Sequence, residues 1–120
     1  MQTDPDYETV MNALFEEAGR YMHRLGETFT TYAYIRQAAR DQQWAYIHLL
    51  HHHIAEKDPF AAVTAAIETH LKTLAPNFGY IAAEEATLDT DMFGKLQKVT
   101  VYRRVSDVVS ANPPQNAADS

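Results

Sequence analysis

The sequence predicts an all-α fold, an antiparallel bundle of four to five helices around one long central helix, and three observations predict it. The stretch from Thr31 to Lys57 contains neither proline nor glycine, and within it Ile35, Ala38, Ala39, Gln42, Ala45, Tyr46 and Leu49 recur at spacings of three and four. That recurrence marks one buried helix face, with Arg36, Arg40, Asp41 and Gln43 on the other. Only four glycines, Gly19, Gly26, Gly79 and Gly94, punctuate the 120 residues, which is sparse for a turn-rich all-β chain. Two Asp-Pro pairs, Asp4-Pro5 and Asp58-Pro59, stand where a cap and a first helical residue are needed. A central rod of about 40 Å, at roughly 1.5 Å per residue, is not stable alone and requires shorter helices packed along it.

Taken in order, the first helix starts at Pro5, capped by Asp4, with acidic residues near the positive end of its dipole. Tyr7, Val10, Met11, Leu14, Ala18, Tyr21, Met22 and Leu25 form a stripe of nearly heptad regularity, and Gly26 is placed as its C-cap. Glu27 to Thr30 is a short turn, which sets the first helix antiparallel to the central one. After Asp58-Pro59, the residues Phe60, Val63, Ala66, Ile67, His70, Leu71 and Leu74 carry a third helix to Pro76. The proline lacks a backbone donor and clashes with the preceding turn, so a kink or short break is expected over Pro76 to Gly79. Helix resumes over Phe78 to Ala86, with Phe78, Ile81 and Ala82 inward. Thr87 to Asp91 is a loop whose Asp89, Thr90 and Asp91 all suit an N-cap. In the last segment Met92, Leu96, Val99, Tyr102, Val105 and Val109 keep a helical stripe, although Val99-Thr100-Val101-Tyr102 also alternates like a strand. With no second strand to pair with, helix is the reading. The helical domain is residues 1–109, and the polar, proline-containing segment 110–120 is expected to be a disordered tail.

Composition narrows the function classes. A chain of this length supports one modest core. The absence of cysteine removes disulfides, thiolate metal sites and cysteine nucleophiles, and it fits a reducing compartment. The acidic start MQTDPDYE has no secretory character, and no apolar run approaches a membrane span, so the expected location is the cytoplasm. Net charge is −6, concentrated in residues 58–91, which carry −5 against +3 over 92–109. This balance argues against nucleic acid as a partner and suits either solubility or a basic protein surface.

Candidate chemistry is thin. His48, His51, His52 and His53 sit on the last turns of the central stretch, and His48 shares a face with His51 and with His52. These imidazoles form a candidate metal site, provided that His70, His23 or Glu56 supplies a further ligand. The alternative is that they pack and partner the helix dipole. Neither HExxH nor paired ExxH motifs are present. Glu16-Glu17 and Glu84-Glu85 are adjacent, so on a helix they diverge by about 100° and form no acid/base dyad. No G-x-S-x-G elbow surrounds Ser106 or Ser110, and no glycine-rich loop precedes a helix. Neither a catalytic residue nor a cofactor is therefore assigned. Among the aromatics, Tyr21, Tyr32, Tyr46 and Tyr102 fall on inner stripes, while Tyr34, Trp44 and Tyr80 are harder to bury and suit an interface.

The segment Gly79-Tyr80-Ile81-Ala82-Ala83-Glu84-Glu85, the acidic turn Leu88-Asp89-Thr90-Asp91, the Leu96, Val99, Tyr102 stripe and the stretch from Ala38 to Ile47 together resemble one family. They are similar to the small helical immunity proteins that protect bacteria from their own type VI secretion effectors, in particular inhibitors of NAD(P)+ glycohydrolase toxins. The likeness covers most of residues 5–109. It departs from the family pattern in a longer Asp58 to Pro76 region and in Pro76 itself. The resemblance implies a cytoplasmic, non-enzymatic inhibitor that occludes a cognate toxin domain. Because a dinucleotide cleft is lined with cations and donors, Glu84, Glu85, Asp89 and Asp91 become the expected partner-binding carboxylates, with Tyr80 and Trp44 beside them.

Overall fold

The computed structural model describes residues 5–105, the side chain of Glu84 excepted. It overturns the all-α expectation. Five helices, α1 (Tyr7–Phe15), α2 (Ala18–Leu25), α3 (Thr31–Asp41), α4 (Gln43–His52) and α5 (Pro59–Leu74), pack on a three-stranded antiparallel sheet made of β1 (Thr28–Thr30), β2 (Tyr80–Thr90) and β3 (Leu96–Arg104). The strand order is β1-β3-β2, with β3 in the centre.

The central rod is two helices. Gln42 leaves helical geometry at φ −126°, ψ 59° and joins α3 to α4. No proline or glycine marks the break. Local side chains take over instead: the Gln43 amide donates to the Arg40 carbonyl at 3.3 Å, the acceptor that an unbroken helix would give to Trp44, and the Trp44 indole donates to Gln42 Oε1 at 3.1 Å.

The first stripe is divided as well, between Phe15 and Ala18, and α1 is capped by Asp6, whose Oδ1 accepts from Thr9 N–H at 2.8 Å. The earlier cap, Asp4, lies outside the described residues. At this break the Leu14 carbonyl accepts from the Tyr34 hydroxyl at 3.0 Å. Beyond it, Gly19 presses against Phe78, whose ring atom would lie 2.9 Å from any Cβ there. The central stretch ends at His52 and not at Lys57, and Glu27 to Thr30, expected as a turn, holds strand β1; three boundaries stand as the residues suggest. Gly26 ends α2 with φ 110°, Asp58 accepts from Ala61 N–H at the start of α5, and the chain leaves the helix through a 3₁₀ turn over Ala75–Phe78 into Gly79 at φ 88°.

Residues 80–104, expected as helix, loop and helix, are a β-hairpin. Ala82, Ala83, Glu85 and Ala86 are good helix formers, but the pairing of β2 with β3, in which Ala82 meets Tyr102, Ala86 meets Thr100 and Thr87 meets Val99, overrides that preference. The Asp91 carboxylate, expected to cap a helix, accepts N–H groups from Phe93 and Lys95, both at 2.9 Å. It does so inside a hairpin turn, in which Asp91 N–H donates to the Lys95 carbonyl and Gly94 adopts φ 78°. An aspartate that satisfies following N–H groups serves a helix cap and a turn alike.

The helical stripe on β3 also dissolves. Val99 and Tyr102 are both buried, but Tyr102 belongs to the main core and Val99 does not. Between them β2 bulges, with residues 83–85 inserted between the pairs Ala82/Tyr102 and Ala86/Thr100. The spacing of three therefore records two separate burials, not one helix face. The expected tail, 110–120, and Ser106 to Val109 lie outside the described residues.

The sheet joins the helices through aromatic rings. Phe29 stacks on Tyr102 with centroids 5.1 Å apart and meets Tyr80 edge-on at the same distance, and Tyr34 closes the group against Phe15. Around them lie Val10, Leu14, Met22, Ile35, Leu49, Val63, Ile67 and Leu71. Among the described residues, no helix is long and apolar enough to cross a membrane.

Candidate functional site

The end of the β2–β3 hairpin folds back toward α3 and α5. Asp89 anchors it: its carboxylate accepts from the Thr30 hydroxyl, from Thr90 N–H at 2.7 Å and from Arg36 at 3.3 Å. Arg36 also donates to the Thr90 carbonyl at 3.0 Å. Burial pushes the Asp89 carboxyl upward, but the Thr30 and Thr90 donors and the Arg36 guanidinium outweigh it and hold the group below its ordinary value. Thr30 is in turn the cap of α3, accepting from Ala33 N–H, so one hydroxyl ties helix start and hairpin together. Asp91 is also held low, chiefly by the Lys95 N–H.

Against this anchor the hairpin displays apolar side chains to solvent. Leu88 pairs with Lys98, and Thr90 pairs with Leu96. Leu88 and Leu96 are thus diagonal neighbours on one face, and they remain 60% and 63% exposed. Phe93 in the turn is 70% exposed and Met92 nearly half exposed. The opposite face of this hairpin end carries Asp89 and the buried Val99.

Under the turn, a cleft of about 270 Å³ opens between Tyr32 of α3, the first three turns of α5, and Asp91, Met92, Phe93 and Gln97. Phe93 meets Phe60 edge-on at 4.9 Å. The Tyr32 hydroxyl is raised by burial and then by the carboxylates of Asp91, Glu68 and Asp89.

The expected partner-binding residues are scattered relative to this site. Asp89 is an internal tie and Asp91 shapes the turn and borders the cleft. Glu85 lies exposed in the bulge. Tyr80 is fully buried, with its hydroxyl donating to the carbonyls of Met22 at 3.2 Å and Gly26 at 2.7 Å. Trp44 is exposed on α4, its ring edge on His48, and does not line the cleft. The Glu84 side chain lies outside the described structure.

The histidines disperse along the end of α4. His52 Nε2 lies 3.0 Å from the Pro5 carbonyl, His53 bridges the Tyr7 hydroxyl and Glu56, and His48 meets Trp44. His51 is exposed. Among the described residues no group of three or more His, Asp or Glu is placed to hold a metal ion. His70 packs instead on Phe15, centroids 4.5 Å apart, and burial lowers its pKa.

Leu88, Phe93, Leu96, Phe60, Tyr32 and Glu68 escape a helical reading of the sequence. The signal for the hairpin three, Leu88, Phe93 and Leu96, is Asp91-Met92-Phe93-Gly94-Lys95, an aspartate and glycine at the offsets of a hairpin turn with β-branched residues following. No family model, no curated protein and no solved structure matches this chain.

Proposed function

We propose that this protein is a binding domain, not a catalyst, that captures another protein on the end of its β2–β3 hairpin. The observation that carries this reading is the exposure of Leu88, Met92, Phe93 and Leu96 together on a hairpin pinned to the helices by Asp89. Apolar side chains held in water on a fixed scaffold are the mark of a protein interface. The site carboxylates favour binding over catalysis, because Asp89 and Asp91 are committed to structural donors.

The partner class comes from the resemblance alone: a cognate type VI secretion toxin that degrades NAD(P)+, inhibited in the cytoplasm by occlusion. The resemblance carries that partner and not the helical architecture attached to it.

The test is NAD+ consumption by the toxin domain encoded beside this gene, with one molar equivalent of this protein or of its Leu88→Lys/Leu96→Lys variant. The expected result is arrest of NAD+ loss by the native chain and an affinity at least about a hundredfold weaker for the variant, since two central anchors are lost. Undisturbed NAD+ loss with native protein removes the immunity reading. Full inhibition by the variant removes the hairpin as the binding face.

A further inference from the structure

The cleft beneath the hairpin turn has walls and charges that select its occupant. Tyr32, Phe60 and Phe93 give it aromatic surface, and the small side chains of Ala61, Thr64 and Ala65 keep its floor open. Three carboxylates border it: Asp58, Glu68 and Asp91. Each already accepts from a neutral donor: Asp58 from Ala61 N–H, Glu68 from the Thr31 hydroxyl at 3.1 Å, and Asp91 from Phe93 and Lys95 N–H and the Gln97 amide. None of the three is within 4.0 Å of a lysine or arginine nitrogen among the described residues, whose ion pairs use Glu17, Asp41, Asp89 and Glu56. Lys95 acts on Asp91 from the turn, but none of the three carboxylates is in an ion pair among the described residues, so the cleft keeps a surplus of negative charge.

We propose that this cleft is the socket for an arginine side chain of the partner protein, its guanidinium lying against Phe93, Phe60 and Tyr32 and donating to Glu68 and Asp58, with the Asp91 charge beside it. That the arginine belongs to a protein partner rests on the binding reading above. The charge complementarity excludes an anion. The same carboxylates do not converge as metal ligands. Flat aromatic walls with spaced acceptors match a planar group with five donors better than the compact ammonium of lysine. The positive end of α5 is near, but Asp58 already caps it.

The experiment is a backbone chemical-shift titration of the full chain with N-acetyl-arginine amide, N-acetyl-lysine amide and the neutral isostere N-acetyl-citrulline amide. The arginine probe is expected to shift Tyr32, Phe60 and Phe93 saturably and to bind about tenfold more tightly than citrulline. Glu68→Gln keeps an acceptor for Thr31, and Phe93→Ala removes an exposed ring, so both variants fold. Each is expected to weaken the arginine probe about threefold or more. Citrulline binding as tightly as arginine shows an apolar groove only and overturns the proposal. Lysine binding as tightly as arginine overturns the guanidinium assignment, and unchanged affinity in either variant overturns the site. No partner protein enters this titration, so its failure is distinct from failure of the NAD+ assay.

Discussion

Helices α1 to α5 are held by area, whereas the hairpin is held by specific polar ties. In the helical region, Val10, Leu14, Met22, Ile35, Leu49, Val63, Ile67 and Leu71 are buried together, and the strength of that packing scales with apolar surface removed from water. The hairpin gives the main core only Tyr80 and Tyr102. It is fastened by the Tyr80 hydroxyl on the end of α2, by Tyr102 against Thr31 at 3.2 Å, by Asp89 on Thr30 and Arg36, and by Arg104 N–H on the Glu27 carbonyl at 2.8 Å. An element attached by directional bonds does not need its leucines inside. Leu88 and Leu96 are consequently free for an outside partner, and the substitutions below separate the two modes of attachment.

The largest effect is expected in the helical core. Leu71 is fully buried on α5, and Leu71→Ala should cost about 2 to 5 kcal/mol, the transfer loss plus the cavity, as measured by urea unfolding. A cost near that of an exposed site would show that α5 is not the keystone of the helical side.

Next in size is Tyr80→Phe. The ring stays, but the part-buried Gly26 carbonyl loses its donor while the Met22 carbonyl keeps Gly26 N–H, at a cost of about 1 to 3 kcal/mol. Tyr34→Phe should act similarly through the Leu14 carbonyl. In Tyr80→Phe, amide hydrogen exchange should rise in residues 80–90 more than in α5. Uniform acceleration would mean that the hydroxyl supports the whole domain and not the hairpin attachment.

These two tyrosines explain how much of the molecule was legible. Helix existence was readable because apolar spacing and the Asp58-Pro59 and Gly26 signals are local. What ties these segments together was not: the Tyr34 and Tyr80 hydroxyls reach carbonyls in segments 20 and 54 residues away or more, and no local pattern encodes such a bond. A helical reading gives the two tyrosines no place inside and so assigns them to an interface. The hairpin failed for a related reason. Each strand was judged without its partner, since β2 is rich in alanine and glutamate and β3 carries a false spacing of three across the bulge. Of the expected site, Asp89 and Asp91 were found for their charge, although the structure uses them first as ties and leaves exposure to Leu88, Phe93 and Leu96.

A smaller effect, with a pH signature, is expected at Asp89. Its folded pKa lies below the ordinary 3.8, so its stabilising contribution is complete above that value and is lost as pH falls through it toward the lower folded value. Asp89→Asn should cost about 1 kcal/mol at pH 6. The gap between native and variant stability should close on acidification below pH 3.8. A gap that persists unchanged at pH 3 would assign the tie to shape and not to charge.

The smallest effect belongs to Tyr21, which is as buried as Tyr34 and Tyr80 but whose hydroxyl makes no hydrogen bond of good geometry among the described residues, the Gln42 side chain being its polar neighbour. Its ring meets Tyr34 edge-on at 6.0 Å, so the residue serves through apolar area and ring contact. Removing this hydroxyl orphans no partner, because Gln42 Oε1 already accepts from the Trp44 indole, and it relieves a desolvated polar atom. Tyr21→Phe should therefore lie within about 0.5 kcal/mol of the native protein, on the stabilising side if it moves at all. Three tyrosines of equal burial then yield unequal hydroxyl contributions, ordered by what each oxygen touches. A loss for Tyr21→Phe as large as that for Tyr80→Phe would show that burial alone sets the cost, and the division between packed helices and tied hairpin would no longer hold.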